Sequence, residues 1–483
     1  MNRIEEILDQ LKTWEPVARQ LSPDPLTREI WNRQVFNYAD QFIDDLPDLP
    51  AYVADQEGLK ALDELKIGED GKDMLSLLRI LEKSVDRSGI NPASGGHIGY
   101  IPGGGLYPTA LGDYLAAVFN RYAGIYFGSP GAVKMENDLI QWMIDLMGYP
   151  KGSAGNLASG GSIANLIAIT SARESMQIKS SQVPECVIYL TEQVHHCVQK
   201  ALRIAGMGES ILRYIPMRED YSMDPQYLER QVAVDRQQGL LPFMLIASVG
   251  TTDTGAIDPL ESLAGIAEKN ELWMHVDAAY GGFFILVEEM QEHFRGIERS
   301  HSIAIDPHKG LFLSYGLGVV LIRETGPMLK AHQYQANYMQ DAQDPSTLSP
   351  ADLSPELTKH FRGMRMWLSL HLLGLHPIRA ALREKHLLTL YFYERIQLMG
   401  FQVGPPPPLS VMIFRLPQQG GEDHPLNRPL LDYLHQDGRI FISSTTIEGA
   451  FWFRLAVLSF RTHQQEIDLL LTMIEEGLQA LSR

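Results

Sequence analysis

The feature that most constrains this chain is an acid and a lysine held at a fixed separation. His275-Val276-Asp277-Ala278-Ala279-Tyr280-Gly281-Gly282 closes a largely apolar run, and Lys309 of Asp306-Pro307-His308-Lys309-Gly310 follows Asp277 by 32 residues. One strand end supplies an anion. After a helix-length segment and a short apolar stretch, the next supplies an amine. Open α/β sheets gather such residues in one crevice at the carboxyl ends of their strands. An acid and a lysine sharing a crevice suit pyridoxal phosphate, in which the lysine forms a Schiff base and the acid keeps the pyridine nitrogen protonated. Taken alone, such a couple is more often a surface ion pair, so the rest of the chain has to decide.

At 483 residues the chain predicts two or three domains. It carries 41 basic and 59 acidic residues, a net charge of −18. No basic block is present, which excludes a nucleic-acid footprint. The two cysteines, Cys186 and Cys197, have no ligand-like spacing and fit a reducing compartment. The acidic start of the chain is unlike a signal peptide, and no run approaches the ~18–20 apolar residues of a membrane span. The expectation is a cytoplasmic enzyme with no membrane segment.

Residues 1–85 read as an amphipathic helical arm, with apolar positions such as Ile4, Leu8, Leu11 and Trp14 at helical spacing and Pro16 as a kink. Such an arm needs a surface to bury against, either the main body or a second subunit. Residues 91–105 hold six glycines and two prolines and must be a loop. From 86 to 400 short apolar runs alternate with helical periodicity, which predicts an α/β domain with a mostly parallel central sheet. Strands are expected at 187–190, 244–247, near Asp277, at 303–305 and at 317–322. Residues 340–357 are polar and proline-interrupted, like a mobile loop over a site. The run Pro405–Pro408 opens a small C-terminal α/β domain, 401–483, with strands expected at 409–416, 439–443 and 451–459 and a closing helix.

Ala158-Ser159-Gly160-Gly161-Ser162 before a helix has the form of a phosphate cradle, although a serine-capped helix reads the same way. His195 follows a strand and can lie flat on a cofactor ring. Thr251 and Thr252 end another strand and can reach a ring substituent or phosphate. A metal site built from His195, His196, His275 and His308 with Asp277 lacks the i, i+4 spacing of a zinc helix. No Gly-x-Ser-x-Gly elbow supports a serine hydrolase.

Together these segments, in order, resemble the group II pyridoxal-phosphate-dependent decarboxylases of the aromatic-L-amino-acid and glutamate decarboxylase group. The resemblance implies the aspartate-aminotransferase-like fold type I and pyridoxal 5'-phosphate as cofactor. It also implies a homodimer with its active site at the subunit interface and the N-terminal arms wrapped around the partner. It makes Lys309 the Schiff-base lysine, His308 a neighbour of the phosphate, Asp277 the partner of the pyridine nitrogen and Ala279 the packing on one ring face. His195 stacks on the other face and helps position the substrate, Gly161 and Ser162 bind phosphate, and Thr252 or Thr251 lies near the ring hydroxyl or phosphate. The implied reaction is decarboxylation of an L-amino acid, aromatic by preference, to its amine.

Two departures from the pattern stand out. The family's mobile loop carries a tyrosine that protonates the α-carbon, but residues 340–356 contain no aromatic, and Tyr334 and Tyr338 only precede them. Either another group protonates the α-carbon, with His195 the candidate, or the loop of a partner subunit is built differently. The alternative outcome is the oxidative deamination to an aldehyde found in relatives whose tyrosine is replaced. In the substrate pocket, the family's His-Pro-x-Phe segment reads as a glycine-rich stretch containing His97 and Tyr100, and Gly124 stands where a phenylalanine is common. Thr358 occupies a position tied to ring choice. His97, Tyr100 and Thr358 are therefore the candidate substrate-binding residues.

Overall fold

A computed structural model describes residues 2–54, 57–333, 348–418 and 420–482. They fall into two compact units, Met1–Asn91 and Pro92–Arg483. The first is helical: Arg3–Ala18, Pro25–Asp45 and Met74–Leu81, plus a two-residue antiparallel ladder of Tyr52–Val53 with Gly89–Ile90. Asn2 and Glu5 close a capping box on the first helix, which runs through Pro16 and buries none of its residues.

The second unit is built on a seven-stranded sheet. Its strands are β1 (Ala154–Ala158), β2 (Cys186–Leu190), β3 (Ile211–Tyr214), β4 (Leu241–Ser248), β5 (Trp273–Asp277), β6 (Ser302–Ile305) and β7 (Gly318–Ile322). The spatial order is β1-β7-β6-β5-β4-β2-β3. Only β7 runs against its neighbours, so the sheet is mostly parallel, as expected.

Both faces are covered, and alternation along each strand feeds two cores. Val187, Tyr189, Leu245, Val276 and Val319 pack on one face with Leu139, Met143 and Leu263. Ile188, Leu190, Met244, Trp273 and Val320 pack on the other with Ala164, Ile167, Val198 and Ala201. The second set includes helices Gly161–Ser175 and Cys197–Ile204, which begin beside the site.

A smaller antiparallel sheet follows: β8 (Gln402–Val403), β9 (Val411–Arg415), β10 (Ser443–Ile447) and β11 (Ala450–Ala456), in the order β8-β9-β11-β10. Its core joins Phe392, Phe414 and Phe453 to Leu470 and Ile474 of the closing helix Gln464–Leu481. The strand expected at 439–443 is displaced. β10 begins at Ser443, and Phe441 makes only an isolated bridge to His97. The polar run Ser443-Ser444-Thr445-Thr446 is the one that pairs with β11, because a strand covered on one face tolerates hydroxyls on the other. Residues 340–347 of the expected 340–357 loop, with Tyr334 and Tyr338 before it, lie outside the described residues, and the rest of it holds a short helical turn at Pro350–Asp352.

Candidate active site

Four loops converge because parallel strands end together. β4 leads into Gly250–Thr252, β5 ends at Asp277, β6 leads into Asp306–Lys309, and β2 leads into the turn before His195. Backbone bonds continue past the strand ends and lock these loops in register: Val249 N–H donates to Asp277 O at 2.9 Å, Ala278 N–H to Ala304 O at 2.8 Å, and Asp306 N–H to Ala279 O at 3.2 Å. Between them lies a cavity of about 460 Å³. Gly161, Ser162, His195, Thr251, Thr252, Asp277, Ala279, His308 and Lys309 all line it.

The amine sits among carboxylates. Lys309 Nζ is 3.1 Å from Asp306 Oδ2, and Asp306 is almost fully buried. Burial alone would depress the Lys309 pKa, but the charges of Asp306 and Asp277 outweigh it and hold the value above normal. Asp277 accepts from Ala279 N–H at 3.1 Å and from Asn165 Nδ2 at 3.3 Å.

His195 Nδ1 accepts Cys197 N–H at 3.2 Å, so a neutral ring carries its hydrogen on Nε2. Burial pulls the His195 pKa down against the opposing charge of Asp277, which keeps the ring neutral at neutral pH. His308 Nδ1 bonds to the Leu317 carbonyl oxygen, and the His308 pKa is likewise lowered by burial. Burial pushes the Cys197 thiol up to about 12, which leaves it unreactive.

The residues fit a phosphorylated pyridine. Helix Gly161–Ser175 starts at the cavity with no side-chain cap, so the serine-cap reading is not what is found, and its first N–H groups remain available to an anion. Glycines let the backbone come close. A Cβ on Gly161 would lie 3.0 Å from Asp306 Oδ2, and one on Gly318 only 2.4 Å from the Gly160 carbonyl carbon. Gly318→Ala is therefore expected to displace the cradle, costing about 1–3 kcal/mol of stability and weakening cofactor binding. Thermal melting and cofactor titration would measure both. Of the two threonines, Thr251 spends its hydroxyl in its own turn, on Thr254 and Ala256 N–H, which leaves Thr252 for a ligand.

The three substrate candidates are not brought to this cavity. His97 is buried against Phe441 and Tyr100, while Tyr100 and Thr358 are exposed, and none of the three lines the site. Residues not singled out from sequence do line it or stand behind it: Asn165, Tyr315, Asp306 and Arg454. Arg454 is buried, donates Nε–H to Thr252 O at 2.5 Å, and leaves Nη2 without a partner. A polar residue inside an otherwise apolar run is the one signal for Asn165.

An uncapped helix start, a lysine paired with a buried carboxylate, and Asp277 and His195 on the wall of one cavity at the ends of a mostly parallel sheet fit a fold type I pyridoxal-phosphate site. The chain belongs to the pyridoxal-dependent decarboxylase family, whose conserved domain matches residues 57–416, and its cofactor is pyridoxal 5'-phosphate. It is 29% identical over 412 residues to the aromatic-L-amino-acid decarboxylase of Bacillus atrophaeus, covering 83% of this chain and 85% of that one. It is 28% identical over 393 residues to phenylacetaldehyde synthase of Petunia hybrida, covering 77% and 78%. The crystal structure of Oryza sativa TDC with PLP and tryptamine superposes with a TM-score of 0.89 at 21% identity, over 96% of this chain and 99% of that one. The chain is a pyridoxal-phosphate-dependent amino acid decarboxylase.

Proposed function

We propose that the substrate is an aromatic L-amino acid and the product its amine. The observation that carries the choice is the lining of the cavity: among its described residues Lys309 is the one Lys or Arg, and Asp306 already pairs with it. A second carboxylate on the substrate would find no free counter-charge, whereas Ile163, Ala279, Tyr280 and Tyr315 offer apolar and aromatic wall. The similarity to the Bacillus enzyme supports the same reading.

The cofactor, when bound, supplies an electron sink for the pair left on the α-carbon as carbon dioxide departs. The protein does the rest. Lys309 is the amine that holds the cofactor. Asp277 pairs with its ring nitrogen and keeps the sink charged, and the Gly161 helix start with Ser162 takes the phosphate. His195 and Ala279 bracket the ring. Arg454 provides a fixed positive charge behind Thr252 for the α-carboxylate. His195 Nε2–H is the proton source for the α-carbon, and the Tyr315 phenol is a second one at the cavity wall. The exposed apolar stripe of the first helix supports a homodimer, with that arm covered by the partner. The cytoplasm is the proposed location.

A second reading rests on the absence of an aromatic residue in 340–356 and on the similarity to the Petunia synthase. Without prompt protonation, the α-carbon meets oxygen. One oxygen and one water are then consumed for each carbon dioxide, ammonia, peroxide and aldehyde released. Incubating the holoenzyme with L-tyrosine, L-tryptophan, L-phenylalanine, L-DOPA and L-glutamate, and measuring amine, aldehyde and peroxide, separates the readings. Amine from an aromatic substrate at a rate at least about tenfold above that with glutamate is expected, since one unpaired buried charge costs more than that. Aldehyde with equimolar peroxide would sink the amine proposal.

A further inference from the structure

Behind Asp277 lies a buried row of polar side chains that the reaction does not otherwise use. Asn165, His275 and Ser302 are fully buried between the sheet and the helix Gly161–Ser175. Trp273 Nε1 is 2.9 Å from Ser302 Oγ, which is 2.8 Å from His275 Nδ1. His275 Nε2 is 2.6 Å from Asn165 Oδ1, and Asn165 Nδ2 is 3.3 Å from Asp277 Oδ2. The second Asn165 N–H reaches Cys197 Sγ at 3.4 Å. His275 and Ser302 face each other because β5 and β6 pair them in parallel register.

The direction of every bond follows from donor chemistry. An anionic carboxylate accepts only, so the Asn165 amide nitrogen must face Asp277 and its oxygen must face His275. That oxygen cannot donate, so His275 carries a hydrogen on Nε2. Burial lowers the His275 pKa and keeps the ring neutral, so Nδ1 is bare and accepts the Ser302 hydroxyl. The Ser302 oxygen in turn accepts the indole N–H, which can only donate. Each link thus points towards Asp277, and a chain polarised in one direction strengthens its last bond.

We propose that Asn165, His275 and Ser302 are positioning residues for the cofactor ring, fixing Asp277 as an oriented carboxylate for the ring nitrogen through a one-way hydrogen-bond chain. This rests on the reading of Asp277 as the ring-nitrogen partner. The chain is also directional in what it resists. A proton placed on Asp277 would need no donor from Asn165, so the amide favours the ionised acid. Metal-ligating histidines are oriented from behind in the same manner.

The test compares two cofactors on the full-length chain, stripped and reconstituted. One is pyridoxal phosphate. The other is 1-deaza-pyridoxal phosphate, which has a C–H where the ring nitrogen stands and keeps the same phosphate and aldehyde. Equilibrium dialysis gives both dissociation constants. Wild type is expected to prefer pyridoxal phosphate by roughly ten- to hundredfold, the range for a charged hydrogen bond. Asn165→Leu, of similar shape, is expected to reduce that preference to about threefold, and Ser302→Ala, the smaller change in volume, to narrow it by about twofold.

If both variants keep the wild-type preference, or lose affinity for both cofactors equally, the chain only packs and the inference falls. If wild type itself shows no preference, Asp277 does not face the ring nitrogen, and that reading falls with it.

Discussion

Lys309→Ala is expected to remove decarboxylase activity by at least about a thousandfold, the scale on which enzymes lose a nucleophile. Borohydride reduction followed by intact-mass measurement should find the cofactor's mass on wild type and none on the variant. Position is only part of the reason. Lys309 is held charged by Asp306 at 3.1 Å and by Asp277, against the pull of burial. A charged amine is a poor nucleophile, so it must first release a proton, and Asp306 is the acceptor within reach. Lys309→Arg separates the two properties. It keeps the positive charge between the carboxylates, and with it the local stability, but arginine does not deprotonate. It should fold and melt like wild type yet be as inactive as the alanine variant. Activity of the arginine variant within tenfold of wild type would show that this amine is not the covalent anchor.

The site is legible in the sequence where chemistry falls at strand ends, and illegible where it depends on contacts across elements. Asp277 ends β5 and Lys309 follows the end of β6 by one short helical turn, and both strands are apolar runs buried on both sheet faces, so their common end can be read from the pattern alone. β1 is not legible, because Ala-Gly-Asn-Leu-Ala holds one large apolar residue, and neither is β3, a half-exposed edge strand. The closing sheet reads one strand out of place at 439–443 because Ile440-Phe441-Ile442 looks more strand-like than the Ser-Thr run that pairs. His97 and Tyr100 show the limit from the other side. Matching positions in a glycine-rich loop says nothing of where its side chains go, and in this chain His97 turns into the small domain's packing against Phe441. Asn165 and His275 leave only a faint trace, polar residues inside Ala164–Ile167 and Met274–Val276. Their meaning depends on the register between β5 and β6 and on a helix more than a hundred residues earlier.

Asp277→Asn is the second large effect. It keeps the shape of the side chain and the bond from Ala279 N–H but removes the charge, so folding and cofactor loading should survive through Lys309 and the Gly161 cradle. Turnover should fall by on the order of 10²- to 10³-fold, the loss seen when one preorganised electrostatic partner is removed from a reacting centre. The sign of the accompanying pH shift follows from the same charge. Asp277 raises the pKa values of both Lys309 and His195, against burial in each case. Removing it lets both fall, so titrations of the cofactor absorbance that report on either group should move to lower pH in the variant. A structural defect would not move them in one direction together. The substituted amide also leaves N–H groups facing each other across the contact with Asn165, unless one side chain turns, so some loss of order behind the site is expected as well. Asp277→Glu tests whether charge alone suffices. An extra methylene carries the carboxylate past both Ala279 N–H and Asn165, and recovery should stay well short of wild type if orientation matters as much as charge. Full activity in Asp277→Asn would remove the electron-sink role from this acid.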